Sequence, residues 1–177
     1  MNATNRALAA CGAALAFALL PAGPAMAAGT AAKPAHADRS FADTAAQAGN
    51  AEVEMAKLAQ EHAASADVKA FADRMVADHT KANQQLTSIA TAQGITLPTK
   101  LSGKDQRELT KLGKLDGAAF DKEYVKSQVD AHKEAVKLFT KESKSGKDDE
   151  LKNFAGTTLP TLEDHLSMVT TLSKSMK

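Results

Sequence analysis

The feature that most constrains the fold of this 177-residue chain is an apolar stripe of helical period between residues 68 and 93. Its members recur at steps of three and four, which places them on one face of an α-helix. They are Val68, Phe71, Met75, His79, Ala82, Leu86 and Ile89. A histidine therefore lies in the middle of a face that packs into a core. Two later stripes contain His132 and His165 in the same way, which predicts an all-α fold with histidines inside it.

The N-terminal residues have the pattern of a secretory signal peptide. A positively charged start precedes an almost wholly apolar run at residues 7–20, and Ala25 and Ala27 supply the small residues that signal peptidase recognises. We predict a signal peptide at 1–27, cleavage after Ala27, and a flexible tether at 28–39. The protein is then periplasmic or secreted. The apolar run is shorter than the roughly 20 residues of a transmembrane helix, and we expect no transmembrane segment in the mature chain.

The chain has one cysteine, Cys11, which lies inside this predicted signal peptide. Residues 8–11 match a bacterial lipobox by letters, but only four apolar residues precede the cysteine and the apolar run continues beyond it. We therefore expect Cys11 to be removed with the signal rather than to carry a lipid anchor. The mature chain then has no disulfide and no thiolate ligand. Its net charge is near zero, which argues against nucleic-acid binding.

Four long amphipathic helices and one short helix are predicted in a domain at residues 40–177. A connection at 94–117 separates the second and third long helices and contains the short one, at 104–112. It is far longer than the two to eight residues that usually join bundle helices, and its length allows it to cross along the side of the bundle. The predicted fold is a ferritin-like four-helix bundle with this long connection. The long helices cover about 40–63, 68–93, 118–144 and 148 onward. Ser40, Ser65 and Ser102 are predicted to cap the first, second and short helices, and Gly94 is predicted to end the second.

An interior polar cluster follows from where the histidines fall along their helices. His79, His132 and His165 each lie near the middle of a helix, as does Glu52, so the four side chains meet whichever way each helix points. Three neutral imidazoles and a carboxylate suit zinc, iron or copper. The predicted metal ligands are therefore the three histidines, with Glu52 as a fourth ligand or a neighbouring base.

The alternative for the same residues is a metal-free polar network. A buried histidine is also satisfied by a carbonyl, a carboxylate or water. Asp78, Asp130 and Asp164 stand next to or near the histidines in sequence, but residues so close point to different helix faces. We expect these three carboxylates to be solvated or paired across helices.

Methionines add a second open choice. Met55, Met75 and Met168 each lie one helical turn from a member of the predicted cluster. Thioether together with imidazole is a donor set that suits copper. Methionine is more often a filler of apolar cores, and that interpretation is favoured here.

Several strings of the mature chain resemble the bacterial DUF4142 family. The resemblance covers about residues 40–175 and implies a secreted protein of unknown function, often labelled an outer membrane protein, with a fold grouped with ferritin-like four-helix bundles. The family's implied residues are Glu52, Asp78, His79, His132 and His165, with the pairs Leu97-Pro98 and Leu159-Pro160. The strings that carry it are AEVEMAKLA at 51–59, FADRMVADHTKAN at 71–83, GITLP at 94–98, FDKEYVKSQVDAHKEAVKLF at 120–139 and FAGTTLPTLEDHL at 154–166.

The histidines depart from the di-iron pattern of ferritin-like proteins. That pattern needs Glu-x-x-His on two helices, whereas Val76, Val129 and Leu162 stand three residues before the histidines. The sequence therefore favours a non-catalytic periplasmic bundle that binds a transition metal. The rivals are a metal-free structural or stress-related envelope interaction module and a metal-dependent redox enzyme. Protein partner and oligomeric state stay open.

Overall fold

The computed structural model describes residues 35–176, and within that range the chain forms five α-helices and no strand. The all-α prediction is confirmed. The predicted signal peptide, Cys11 and residues 28–34 of the predicted tether lie outside the described residues. None of the helices in the described range has the long apolar stretch that crossing a membrane requires. The helices are α1 His36–His62, α2 Ala66–Ala92, α3 Gly103–Leu112, α4 Gly117–Ser145 and α5 Asp149–Ser175.

The first helix begins four residues earlier than predicted. Residues 36–39 are helical and do not belong to a flexible tether, and Ser40 lies inside α1 rather than capping it. Asp38 in the first turn is buried, and its carboxylate accepts hydrogen bonds from the backbone of the loop between α4 and α5. The donors of these bonds lie 109 and 110 residues further along the chain, so the local sequence could not indicate them.

Contacts at the helix ends give the direction of each long helix. His62, at the end of α1, lies 2.7 Å from Asp116, the residue that precedes α4. The start of α1 meets the loop that precedes α5 through Asp38. Helices α2 and α4 therefore both run opposite to α1, and the connection that contains α3 travels the length of the bundle. Helix α1 packs against α2 and α4, α5 packs against the same two helices, and α3 lies on α1 and α4.

The interior consists of two apolar clusters separated by a polar layer. One cluster surrounds Phe71, near the turn between α1 and α2, and the other surrounds Phe154, near the turn between α4 and α5. Every long helix contributes to both clusters and carries polar residues where it passes from one to the other. Five buried polar side chains form this layer: Glu52, His79, Gln128, His132 and His165.

Candidate metal centre

Three histidines from three helices meet in the polar layer. His79 of α2, His132 of α4 and His165 of α5 are 8%, 1% and 0% exposed. Their ring centroids lie 5.5 to 5.8 Å apart, and one nitrogen of each ring lies within 4.8 Å of a nitrogen of the others. Three imidazoles on one zinc ion, with Zn–N bonds of about 2.0 Å, place their ring centres about 5 to 5.5 Å apart. The spacing of the three rings is close to that of a three-histidine metal centre.

The backbone of α4 determines which nitrogen of His132 is free. Its Nδ1 lies 3.0 Å from the carbonyl oxygen of Gln128, one turn earlier on the same helix. A carbonyl only accepts, so Nδ1 carries the hydrogen and donates it. The lone pair of the neutral ring is then on Nε2, which is buried and has no partner in the protein.

Asp78, a carboxylate on α2, determines which nitrogen of His165 is free. Nε2 of His165 lies 2.9 Å from Oδ2 of Asp78, which also accepts from Arg74 at 3.3 Å. Partial burial alone raises the pKa of Asp78, but the hydrogen bonds from His165 and Arg74 outweigh it and hold that pKa below its usual value. Asp78 is therefore ionised, His165 donates from Nε2, and its lone pair is on the buried, unpartnered Nδ1. The expectation that Asp78 pairs across helices is confirmed.

Burial keeps all three rings neutral. It lowers the pKa of His79 to about 3, with further lowering from the neighbouring His132 and His165. It lowers the pKa of His132 to about 4, and it also lowers the pKa of His165 against the opposing effect of Asp78. Neutral imidazole is the form that binds a metal ion. At neutral pH no proton has to leave these rings before an ion binds.

Glu52 is buried in the same layer but does not belong to the three-histidine group. Burial raises its pKa to about 7, and the neighbouring Gln128 amide opposes that rise. Its Oε2 has no hydrogen-bond partner, and neither do the hydroxyl of Tyr124 and the amide nitrogen and oxygen of Gln128. The centre is therefore bordered by a second set of unpartnered polar atoms.

Sequence reasoning missed Gln128 as a member of this layer. It lies four residues before His132, on the same helix face, so the helical period carried the signal. Sequence reasoning also did not identify the hydroxyl of Tyr124 as a buried polar group next to Glu52. A polar residue on an apolar stripe is thus informative even when it is not a histidine.

The methionines near the centre do not share one role. Met75 is fully buried in the cluster around Phe71, and Met55 is buried in the same cluster. The sulfur of Met168 lies 3.3 Å from Nη1 of Arg74 and accepts a hydrogen bond from it. These contacts agree with the interpretation of Met55 and Met75 as core residues.

A second buried polar cluster lies where α1 begins and contains no histidine. Asp38 accepts hydrogen bonds of 3.0 to 3.3 Å from the backbone of Lys147 and Asp148. Burial, the charge of Asp38 and a hydrogen bond with Asp38 raise the pKa of Glu142 to about 7. Sequence reasoning did not anticipate either carboxylate, although Glu142 lies one turn after the inward Phe139.

The fold and the centre define a class of protein, an all-α bundle with a buried cluster of three histidines. The family model described as "Domain of unknown function (DUF4142)" matches residues 23–172, and the chain belongs to that family. No curated protein matches the chain.

Several solved structures of low sequence identity have a similar fold. A DUF305 fragment from Deinococcus radiodurans has a TM-score of 0.69 and 14% identity, over 80% of this chain and 98% of that chain. A DUF305 protein from Streptomyces coelicolor has a TM-score of 0.69 and 16% identity, over 79% and 92%. CopM in the Cu(I)-bound form has a TM-score of 0.66 and 13% identity, over 78% and 96%. At these identities the likeness shows the fold alone.

Proposed function

We propose that this protein binds one transition-metal ion through His79, His132 and His165. The observation that carries the proposal is that each of these buried rings has a nitrogen with no partner in the protein. A buried polar atom left unpaired costs about 1 to 3 kcal/mol. Three such atoms in one place are unfavourable unless a ligand satisfies them together, and a metal ion does so.

The unpartnered nitrogens favour a bound ion over the metal-free alternative. In a structural role, a buried polar group is paired within the protein, as the carboxylate of Asp38 is with the backbone N–H groups of Lys147 and Asp148 at the other end of the bundle. In the polar layer, one nitrogen each of His132 and His165 is held by Gln128 and Asp78, which leaves the other nitrogen of each ring for a shared ligand. Hydrogen bonds of this kind, from a ligating histidine to a carbonyl or carboxylate, are usual around metal ions.

The charges around the centre favour a monovalent ion. Three neutral imidazoles leave the charge of the ion uncompensated, and a buried charge needs a partner of opposite sign. Asp78, joined to His165, and Asp164 share Arg74 between them, and this group leaves one net negative charge, which balances copper(I). Imidazole suits both copper and zinc, and one structural neighbour is a Cu(I)-bound protein. We propose copper(I) as the preferred ion, with zinc(II) as the alternative that also requires an anion such as Glu52.

We place Glu52 near the centre as a neighbouring base that does not ligate copper(I), because it lies outside the three-histidine group. We propose a ferritin-like arrangement of the four long helices, supported by their packing order and by the connection that travels the length of the bundle. We propose a periplasmic or secreted location. Because the chain has no Glu-x-x-His pair, we propose binding rather than redox catalysis.

The test is to purify the protein without chelator, measure its metal content, and titrate the ion-free form with Cu(I) and Zn(II). We expect about one equivalent of bound ion per chain and a melting temperature that rises on loading and falls when the ion is removed, with a Cu(I)-selective chelator for copper and with EDTA for zinc. His132→Gln should lose the ion, whereas His62→Gln, outside the centre, should keep it. Less than about one-tenth of an equivalent of every transition metal, with no thermal shift on adding any, would end the proposal.

A further inference from the structure

We propose that the cavity between α1 and α4, beneath α3, is the route by which a cation reaches the three histidines, and that Glu52 is the inner carboxylate on that route. The inference rests on the proposed metal function. It concerns how the ion arrives rather than where it is held.

The cavity connects the centre with the protein surface. Its volume is about 360 Å³, and His79, His132 and Glu52 line its inner part. Its other lining residues include exposed side chains of α3 and α4, such as Lys104 and Glu134. Since one water molecule occupies roughly 30 Å³ in the liquid, a space of this size holds several waters. A hydrated ion can therefore approach buried rings that are otherwise closed to solvent.

The opposite face of the centre is closed by side chains. His165 does not line the cavity, and its outward nitrogen is occupied by Asp78. Arg74 covers this side, because it contacts Asp78 at 3.3 Å, Asp164 at 3.6 Å and the sulfur of Met168 at 3.3 Å. An ion arriving from the α2–α5 face would have to displace this network.

The charges along the cavity suit a cation. Three lysines and a larger number of carboxylates line its outer part, so the opening is acidic overall and attracts positive ions. Oε1 of Glu108 and Oε2 of Glu52 are buried and unpartnered. These two oxygens offer an outer and an inner position at which a cation is held briefly on its way to the histidines. The outer carboxylates are Asp105, Glu108, Glu123, Asp130 and Glu134.

The rates of metal binding test this route. Association and dissociation of Cu(I) are followed by stopped flow against a chromophoric chelator, with the purified protein and its Glu52→Gln variant. We expect both rate constants to fall about tenfold while the affinity stays within about threefold, because a group on the path changes the barrier and not the end states. Glu142→Gln is the matched control, since Glu142 is equally buried but lies outside the cavity, and it should leave both rates unchanged.

A second variant narrows the cavity without changing charge. Ala131→Leu places a larger side chain on the lining of α4 and should also slow loading, whereas Ala119→Leu, at an exposed position of the same helix, should not. Ala131→Leu keeps the test of the route decisive if Glu52→Gln fails to fold.

The outcomes separate the two proposals. A wild-type protein that binds no ion overturns the proposed function and the route with it. Unchanged association rates in Glu52→Gln and Ala131→Leu, with normal affinity, overturn the route alone. Faster dissociation in Glu52→Gln with unchanged association makes Glu52 a ligand, which also overturns its role on the route.

Discussion

The bundle contains two buried polar clusters that solve the problem of buried polarity in different ways. At the start of α1, Asp38 is satisfied by backbone N–H groups of the loop before α5, and Glu142 lies beside it with one buried oxygen, Oε1, unpartnered. In the polar layer, the histidines use one nitrogen each at most for protein partners and leave another unpaired. The first cluster joins parts of the chain to one another, and in the second we propose that a bound ion satisfies the unpaired nitrogens.

The two clusters also respond to acid in opposite directions. The folded-state pKa of Glu142, about 7, lies above the ordinary 4.5, so its contribution to stability is present at low pH and is lost as the pH rises through 7. The folded-state pKa values of His79 and His132 lie below the ordinary 6.5. Their contribution in the ion-free protein is present above pH 6.5 and is lost as the pH falls. Each cluster can therefore be perturbed separately.

The largest expected effect on stability is at the carboxylate cluster. Asp38→Ala leaves the N–H groups of Lys147 and Asp148 without an acceptor and should lower the free energy of unfolding by about 3 kcal/mol. Urea unfolding at pH 6, where Glu142 holds its proton, measures this loss. Asp38→Asn keeps one acceptor oxygen and should lose less. If Asp38→Ala costs less than about 1 kcal/mol, or if it abolishes metal binding, the proposed division of roles is wrong.

The polar layer should show the reverse behaviour. His132→Leu should change the unfolding free energy of the ion-free protein by less than about 1.5 kcal/mol, since its ring already has one unpaired nitrogen and a hydrophobic replacement removes that cost. It should abolish the stabilisation by metal, which is about 2.7 kcal/mol at a hundredfold excess over Kd. Unfolding with and without Cu(I) measures both quantities. A loss above about 2 kcal/mol in the ion-free variant would contradict this.

The hydrogen bond between Asp78 and His165 should affect metal affinity more than folding. Asp78→Asn still accepts the hydrogen of His165 but removes the negative charge, and it should weaken metal binding about 10- to 100-fold. Competition titration with a chelator of known affinity measures the change. Asp164→Asn is the control, because Asp164 pairs with Arg74 at 3.6 Å and not with the histidine. Equal losses in the two variants would show a general charge effect.

The smallest expected effect is the pH dependence that Glu142 produces. Glu142→Gln cannot ionise beside Asp38 and Asp148, so it should flatten the loss of stability between pH 5 and pH 8 by roughly 1 to 2 kcal/mol, after allowance for solvent screening. The measured quantity is the difference in unfolding free energy between variant and wild type at each pH. A difference that stays constant across this range would show that Glu142 does not titrate there.

Local sequence was sufficient for most helix boundaries. The caps predicted at Ser65 and Ser102 accept hydrogen bonds from Val68 and Asp105, and Gly94, predicted as a stop signal, adopts a φ of +65°. The predicted start of α1 was wrong because Asp38, in the true first turn, accepts a hydrogen bond from the backbone of Lys147, which lies 109 residues further along the chain. Gly49 is a second position whose role depends on a residue of another helix. A helical glycine costs about 1 kcal/mol against alanine, but here a Cβ would lie 2.0 Å from the side chain of Asn83.

In the candidate centre, too, some features follow from local sequence and others depend on residues of other helices. The helical period placed His79, His132 and His165 on inward faces, and their mid-length positions brought them to one height. The period also carried Gln128 and Glu142, but glutamine and glutamate are so often solvated that an inward position was not assigned to them. Their burial depends on neighbours from other helices.

The sequence by itself determined the helices, the inward direction of the three histidines and the departure from the di-iron pattern, because each depends on the spacing of residues along one segment. Only the tertiary structure decided which ring nitrogens are paired, how far burial lowers the pKa of each imidazole, and on which side a cavity reaches the centre. These properties depend on groups from separate helices, such as Asp78 of α2, which accepts a hydrogen bond from His165 of α5. The distances between these groups are set by how the helices pack and not by the residue pattern of any one helix.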